Sequence, residues 1–434
     1  MGAHGALPML INPTRLDNGY MVGSPISPQA PPRPETNSRT LAGLGGDFWI
    51  LMASTFATNL MGQGFVWFLP NYLIGLGKEA MIMGIVLTVG SFVVAILSPF
   101  GGYAGDVYGR RRMLVLSPVV ASLGWFVLAI SGDWVTAAIG FSLVQAPGTV
   151  AAPAMSACIG DVVADEKLGR AYGILGSVLN VAAVAGPVLV GALIDAYGFQ
   201  VALLAVAVVT LLSAALRLLL REAVPSEAPL RWRSIPKRMG ASLRSPVIRY
   251  SVALQTAYFA VLSISYPLVP IVMEKVYHYD FFLVGLIRSF GNLVFAAVSA
   301  IGGRMTETGN RRAMMAVNVA GRAAFFVLFA FYSSLPALLA IIALDSIATP
   351  FLTPMTDSFI ARDTKKEERG TVFGFLRTWI ALGQTPATPA GGYLFDYLGY
   401  RAPFLVSASL MIPVAAYALR ALPPKERTDR GPGG

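Results

Sequence analysis

Gly191-Ala-Leu193-Ile-Asp195-Ala-Tyr197-Gly198 returns 201 residues later as Gly392-Tyr-Leu394-Phe-Asp396-Tyr-Leu398-Gly399. The turn Gly102-Tyr-Ala-Gly-Asp106-Val-Tyr-Gly109-Arg110-Arg111-Arg112 returns after 200 residues as Gly302-Gly-Arg-Met-Thr306-Glu-Thr-Gly309-Asn310-Arg311-Arg312. Pro153 and Pro354 keep the 201-residue interval, as do Gly173 and Gly374. Such a repeat on evenly spaced apolar runs means one bundle present twice.

The apolar runs are membrane spans by length and composition. Of 434 residues 55% are hydrophobic and only 13% charged, against about 25% charged in a soluble domain. A span needs about 20 apolar residues, and twelve such runs occur, at 48–74, 80–104, 112–131, 134–160, 169–195, 199–220, 250–274, 281–302, 313–333, 335–360, 371–397 and 401–422. The expected fold is an all-α membrane protein with 12 transmembrane helices in two pseudo-symmetric six-helix bundles, 47–220 and 249–422. Residues 1–46, rich in Pro and Gly and with no span or cleavable signal peptide, read as a disordered cytoplasmic N-terminal tail. Residues 221–248 read as a cytoplasmic central loop and 423–434 as a cytoplasmic C-terminal tail.

The net charge of +10 is topological. Only Lys78, Lys275 and Arg401 fall in external loops, and Arg288, Arg322 and Arg377 fall inside spans. The rest of the 33 basic residues fall in the tails, in the loops after spans 2, 4, 6, 8 and 10 or at the adjoining helix ends, all on one side, which by the positive-inside bias is the cytoplasm. The chain is thus expected in the plasma membrane as a multi-pass protein with both termini cytoplasmic, and nucleic acid is not a partner. Cys158 alone cannot form a disulfide framework, and with His4 and His278 the only imidazoles a metal centre lacks ligands. No cofactor is expected.

The loop Gly102-x-x-x-Asp106-x-x-Gly109-Arg110-Arg111 resembles the loop between helices two and three of the major facilitator superfamily. That resemblance implies a cytoplasmic gate made by Gly102, Asp106, Gly109, Arg110 and Arg111, with Asp106 facing the start of span 11 near Gly370 and Thr371. The sequence departs from the family at Val107, where a basic residue is usual, and the second copy has Thr306 in place of the Asp. In span 5, Gly173, Gly186-Pro187 and Gly191 resemble the Gly-Pro motif of antiporter branches, with Ala182 and Val190 where Gly is preferred; they read equally as packing glycines. Proton-linked drug exporters usually carry an Arg in span 4 upstream of a Gln-Gly pair, and this chain has Ser142-Leu-Val-Gln145-Ala146.

Polar residues step by four along two spans: Thr55, Asn59, Gln63, Trp67 and Asn71 in span 1, and Asp345, Thr349, Thr353 and Asp357 in span 10. Each stripe keeps to one helix face. Spans 4 and 7 add Gln145, Tyr258 and Tyr266, and spans 5, 8 and 11 add Asn180, Arg288, Asn292, Arg377 and Gln384. In the family, helices 1, 4, 7 and 10 surround a central cavity, so the substrate-binding candidates are Asn59, Gln63, Gln145, Asn180, Tyr258, Arg288, Asn292, Asp345, Arg377 and Gln384. Polar groups are costly in a membrane and mark function or partnership. Arg288 or Arg377 would bind an anionic group while Asp345 tunes the site or carries a coupling proton; alternatively Asp345 pairs structurally with Arg322.

The implied activity is secondary transport of a small organic solute by alternating access. Its partners would be the small-molecule substrate, membrane lipid and a proton as coupling ion, with the chain a monomer. No phosphate-binding Gly-x-x-x-x-Gly-Lys-Ser/Thr loop occurs, so ATP is not the energy source. Excess buried arginine fits an organic anion; Trp67, Tyr258 and Tyr266 fit multidrug or metabolite efflux. An enzyme finds no nucleophile–base set, and a transporter-like receptor finds no sizeable soluble domain.

Overall fold

A computed structural model describes residues 44–77, 79–98, 108–221, 245–308, 310–364 and 369–420, with backbone alone at 300–308 and 369–371. The described residues form twelve helical segments. The first six are α1 (Gly46–Gly77), α2 (Ala80–Leu97), α3 (Arg110–Ile130), α4 (Trp134–Val162), α5 (168–197) and α6 (199–217). The second six are α7 (Pro246–Lys275), α8 (Phe281–Thr308), α9 (Arg311–Phe331), α10 (Leu335–Asp363), α11 (Arg369–Leu398) and α12 (Ala402–Arg420). Among the described residues nine stretches are long and apolar enough to cross a membrane, one of them the 53-residue pair Asp165–Arg217.

Local chemistry explains the helix ends. Gly198 divides α5 from α6 with φ +80, and Gly399 divides α11 from α12 with φ +86, a conformation that L side chains resist. These are the terminal glycines of the repeat quoted above. Asp133 starts α4 by accepting the backbone N–H of Val135 at 2.8 Å and of Thr136 at 3.0 Å. The Thr136 N–H and hydroxyl bonds hold its carboxyl below the usual range. Pro267 and Pro350 each fall in a single 3-10 turn, Tyr266–Leu268 in α7 and Thr349–Phe351 in α10, where the ring cannot continue the α-helical hydrogen bonding. Span 2 was expected to reach 104; α2 ends at Leu97, and residues 99–107 lie outside those described.

The halves meet along α2 against α11 and α5 against α8. Backbone touches backbone there. A Cβ on Gly84 would stand 2.7 Å from the Thr388 carbonyl oxygen, and one on Gly285 2.2 Å from that of Pro187. A Cβ on Gly392 would stand 2.3 Å from the Ala80 oxygen, and one on Gly191 2.2 Å from that of Phe281. All four contacts obey the 201-residue shift. Gly186 is likewise pressed on α1, where a Cβ would lie 2.4 Å from the Leu60 oxygen, so it reads as a packing glycine.

The core is not evenly shared. One cluster runs through both halves and includes Phe65, Phe68, Leu69, Val269, Ile271 and Val284. At the end where the chain enters and leaves, each half keeps its own cluster: Leu44, Phe48, Leu114 and Ile159 in the first, Ile248, Ile360 and Val372 in the second. At the end opposite the termini the backbone contacts of Gly191 and Gly392 join the halves.

Gly285→Val should therefore lower the thermal unfolding midpoint in detergent, at a cost of about 1–3 kcal/mol from overpacking. Gly132→Ala, where an added Cβ meets nothing within 4 Å, should leave the midpoint in place. Equal midpoints for the two variants would count against the close seam.

Candidate functional site

Trp67 of α1 fixes where the two halves look at each other. Its ring stands 5.8 Å from that of Tyr266, edge to face, and the Arg288 guanidinium of α8 lies 4.5 Å from the indole centroid. Arg288 Nη1 also donates to Tyr266 Oη at 2.5 Å. The proline turn of α7 thus places Tyr266 between helices rather than along one. Also 5.6 Å from the Tyr266 ring sits the guanidinium of Arg322 from α9.

Arg322 is enclosed and paired. Nη1 lies 2.6 and 2.7 Å from the two Asp345 oxygens, Nη2 donates to Thr349 Oγ1 at 2.6 Å, and Nε donates to Tyr258 Oη at 3.3 Å. Arg322 and Asp345 are 4% and 6% exposed, so water contributes little. Of the two options left by the sequence, the Asp345–Arg322 pair is present. A carboxylate neutralises one arginine, and two are within its field, Arg322 and Arg288.

Arg288 is the remainder. It is half-buried and has no carboxylate partner among the described residues. Cation–π contact contributes roughly 0.5–2 kcal/mol, too little to balance a buried charge, and most of its five N–H donors stay available. Trp67 Nε1 is buried with no partner among the described residues, a second donor beside the first.

The other candidates divide by surroundings. Gln63, one turn before Trp67 on the same face, is exposed, as are Asn180 and Arg377. Gln145 and Gln384 are half-buried, and Asn59 Nδ2 donates within its own helix to the Thr55 oxygen at 2.8 Å. Asn292 Nδ2 donates to the Ala183 oxygen of α5 at 2.6 Å, a bond between the halves. Asn71, at the end of the α1 stripe, is buried and donates to the Pro270 oxygen at 3.1 Å. Of the gate motif, Gly102 and Asp106 lie outside the described residues. Gly109 turns with φ +90, Arg110 pairs with Asp161 of α4, and Arg111 donates to the Leu218 oxygen at 2.6 Å. These arginines tie α3 to its own half.

Sequence reasoning missed Arg217, taken for a basic helix end. It is buried, donating to Ser54 Oγ at 3.1 Å and to the Leu114 oxygen at 2.9 Å. Its position in the last turn of an apolar helix was the available signal. An open groove of about 590 Å³ lined by Val188, Leu189, Leu286 and Phe290 lies on the α5–α8 flank; it has apolar walls and none of the polar residues above.

Comparison with known proteins agrees with this architecture. The family model of the Major Facilitator Superfamily matches residues 51–308 and again 251–434. A multi-drug resistance efflux pump PmrA homolog of Lactococcus lactis is 24% identical over 80% of this chain and 87% of its own length. Multidrug resistance protein MdtG of Escherichia coli is 26% identical over 82% and 89% respectively. The crystal structure of the nucleoside transporter NupG superposes with a TM-score of 0.72 at 13% identity, over 88% of this chain and all of that one.

Asp345→Asn removes the only carboxylate paired with Arg322 among the described residues and should destabilise the protein by about 3 kcal/mol, as breaking a buried pair does. Adding Arg322→Met should restore part of that loss. Denaturation of both variants in detergent measures the difference, and an Asp345→Asn protein as stable as the parent would contradict the pairing.

Proposed function

The chain belongs to the Major Facilitator Superfamily, and we propose that it carries a small organic solute bearing an anionic group across the cell membrane by alternating access. The basic side carries both termini and faces the cytoplasm, so the end where Gly191 and Gly392 bring the halves into backbone contact faces outward. The carrying observation is Arg288, held over Trp67 and Tyr266 with no carboxylate opposite it. A carboxylate or phosphate on the solute would supply the missing charge, and the aromatic rings would take its apolar body.

Gln63, Asn59, Gln145, Asn180 and Gln384 offer neutral hydrogen bonds along the path to that site, and exposed Arg377 adds a second positive charge nearer the cytoplasmic mouth. Asp345 serves the site by fixing Arg322, whose guanidinium lies near the Tyr266 ring. Asn292 is best read as part of the joint between halves. The apolar α5–α8 groove suits a lipid acyl chain.

A second reading is efflux of amphipathic compounds in exchange for protons. Relatives named as multidrug pumps cover about four-fifths of the chain and favour it. A sodium, lithium, potassium/proton antiporter of Planococcus maritimus, 27% identical over 35% of this chain and 37% of its own length, favours proton exchange less strongly.

Flux in proteoliposomes under imposed pH and voltage gradients separates the readings. Arg288→Gln should weaken apparent affinity for aromatic carboxylates about tenfold or more, the loss of a charged hydrogen bond of about 1.5–3 kcal/mol, while Arg288→Lys loses less. Export of cationic dyes driven by a proton gradient and indifferent to Arg288→Gln would favour the second reading. Unchanged pH-driven flux in Asp345→Asn would remove that carboxylate as a proton carrier.

A further inference from the structure

The acidic residue inside the quoted repeat has no part in the site, yet both copies make the same bonds. Asp396, near the end of α11, accepts the backbone N–H of Ala80 at 3.0 Å on one oxygen and of Met81 at 2.9 Å on the other. Asp195, near the end of α5, accepts Phe281 N–H at 3.1 Å and Phe282 N–H at 2.7 Å in the same two-pronged way. Donors and acceptors are each 201 residues apart in the two copies. In both, the carboxylate belongs to one half and the helix N-terminus to the other.

We infer that Asp195 and Asp396 are a pair of latches holding the outer end of the transporter shut, and that they set the balance between inward- and outward-facing states. This rests on the alternating-access reading above. The physical argument has three steps. The first N–H groups of a helix have no partner within it and carry the positive end of its dipole, so a carboxylate there makes a charge-assisted bond. Opening the outer end separates α2 from α11 and α5 from α8 and breaks all four bonds. Both carboxylates are exposed, so water replaces the lost bonds, and the latch is reversible rather than a fixed clamp.

The two latches are unequal. The N-terminus of α8 has a cap of its own, Asp280, whose Oδ1 accepts Leu283 N–H at 2.7 Å. Asp280 competes for the same dipole and repels Asp195. The residue before α2, Glu79, makes no side-chain cap bond, so among the described residues Asp396 is the one carboxylate hydrogen-bonded to that N-terminus. Asp396 is therefore the stronger latch.

The test uses the full chain in lipid nanodiscs with no solute added. In a Cys158→Ala background, spin labels at Gly132→Cys and Ser334→Cys report the distance between halves across the outer end. Asp195→Asn and Asp396→Asn should each raise the long-distance population, Asp396→Asn more, with the double variant changing the ratio on the order of tenfold. Gly392→Ala, which pushes a methyl group toward the Ala80 oxygen, should raise it independently. Asparagine keeps the side-chain size, and retained helicity and a monodisperse profile show that folding survives. If the double variant does not fold, the single variants read the same ratio. Distances unchanged in the folded Asn variants overturn the latch, and an Asp195→Asn effect larger than that of Asp396→Asn overturns the ranking. Solute flux in the parent protein is measured separately, so failure of the transport reading stays distinguishable from failure of the latch.

Discussion

Two helix pairs, α2 with α11 and α5 with α8, come together with carbonyl oxygens lying where side chains would be, and the rest of the arrangement follows from that approach. Apolar association has little driving force in lipid, so helices there are joined by close van der Waals contact and hydrogen bonds. Glycine at 84, 191, 285 and 392 makes that contact possible. Because the four contacts are related by one sequence shift, the seam is symmetric, and whatever lies between the halves sits on the pseudo-twofold axis.

The chemistry placed on that axis is not symmetric. The second half supplies Arg288, Arg322, Asp345, Tyr258 and Tyr266, whereas the first half supplies chiefly Trp67. Arg322 and Asp345 neutralise one another inside a single half, and their cluster moves as a unit with it. Arg288 instead leans on a ring from the opposite half. A solute that bridges Arg288 and Trp67 would therefore contact both rigid bodies at once. That is what coupling binding to a relative movement of halves requires.

Most of the architecture was legible in the residues. The apolar runs located the helices within a few positions, and Gly198 and Gly399, read as parts of a repeat, prove to be the breaks between α5 and α6 and between α11 and α12. Of the stripes on α1 and α10, Trp67, Asp345 and Thr349 join one cluster through Tyr266 and Arg322. What a helical period cannot give is the partner across a gap. Asn292 and Arg288, one turn apart on α8, looked alike as cavity polar groups; one bonds a backbone oxygen of α5 and the other is left with aromatic faces. Arg217 was hidden for a related reason, because its partners are an Oγ and the Leu114 carbonyl inside α3, which Pro118 cannot bond, rather than a carboxylate.

The pattern of divergence between the copies then acquires a physical sense. At the outer end the repeat keeps glycine, carboxylate and helix start together in both halves, and the bonds made are equivalent. At the other end Asp106 has only Thr306 as its counterpart, and the hydrophobic clusters of the two halves are separate. On our reading the outer face is closed by two latches of one design, Asp195 and Asp396. Both latches must release for the outer face to open. Two latches on one face favour the state shut there, and in the described conformation both are made.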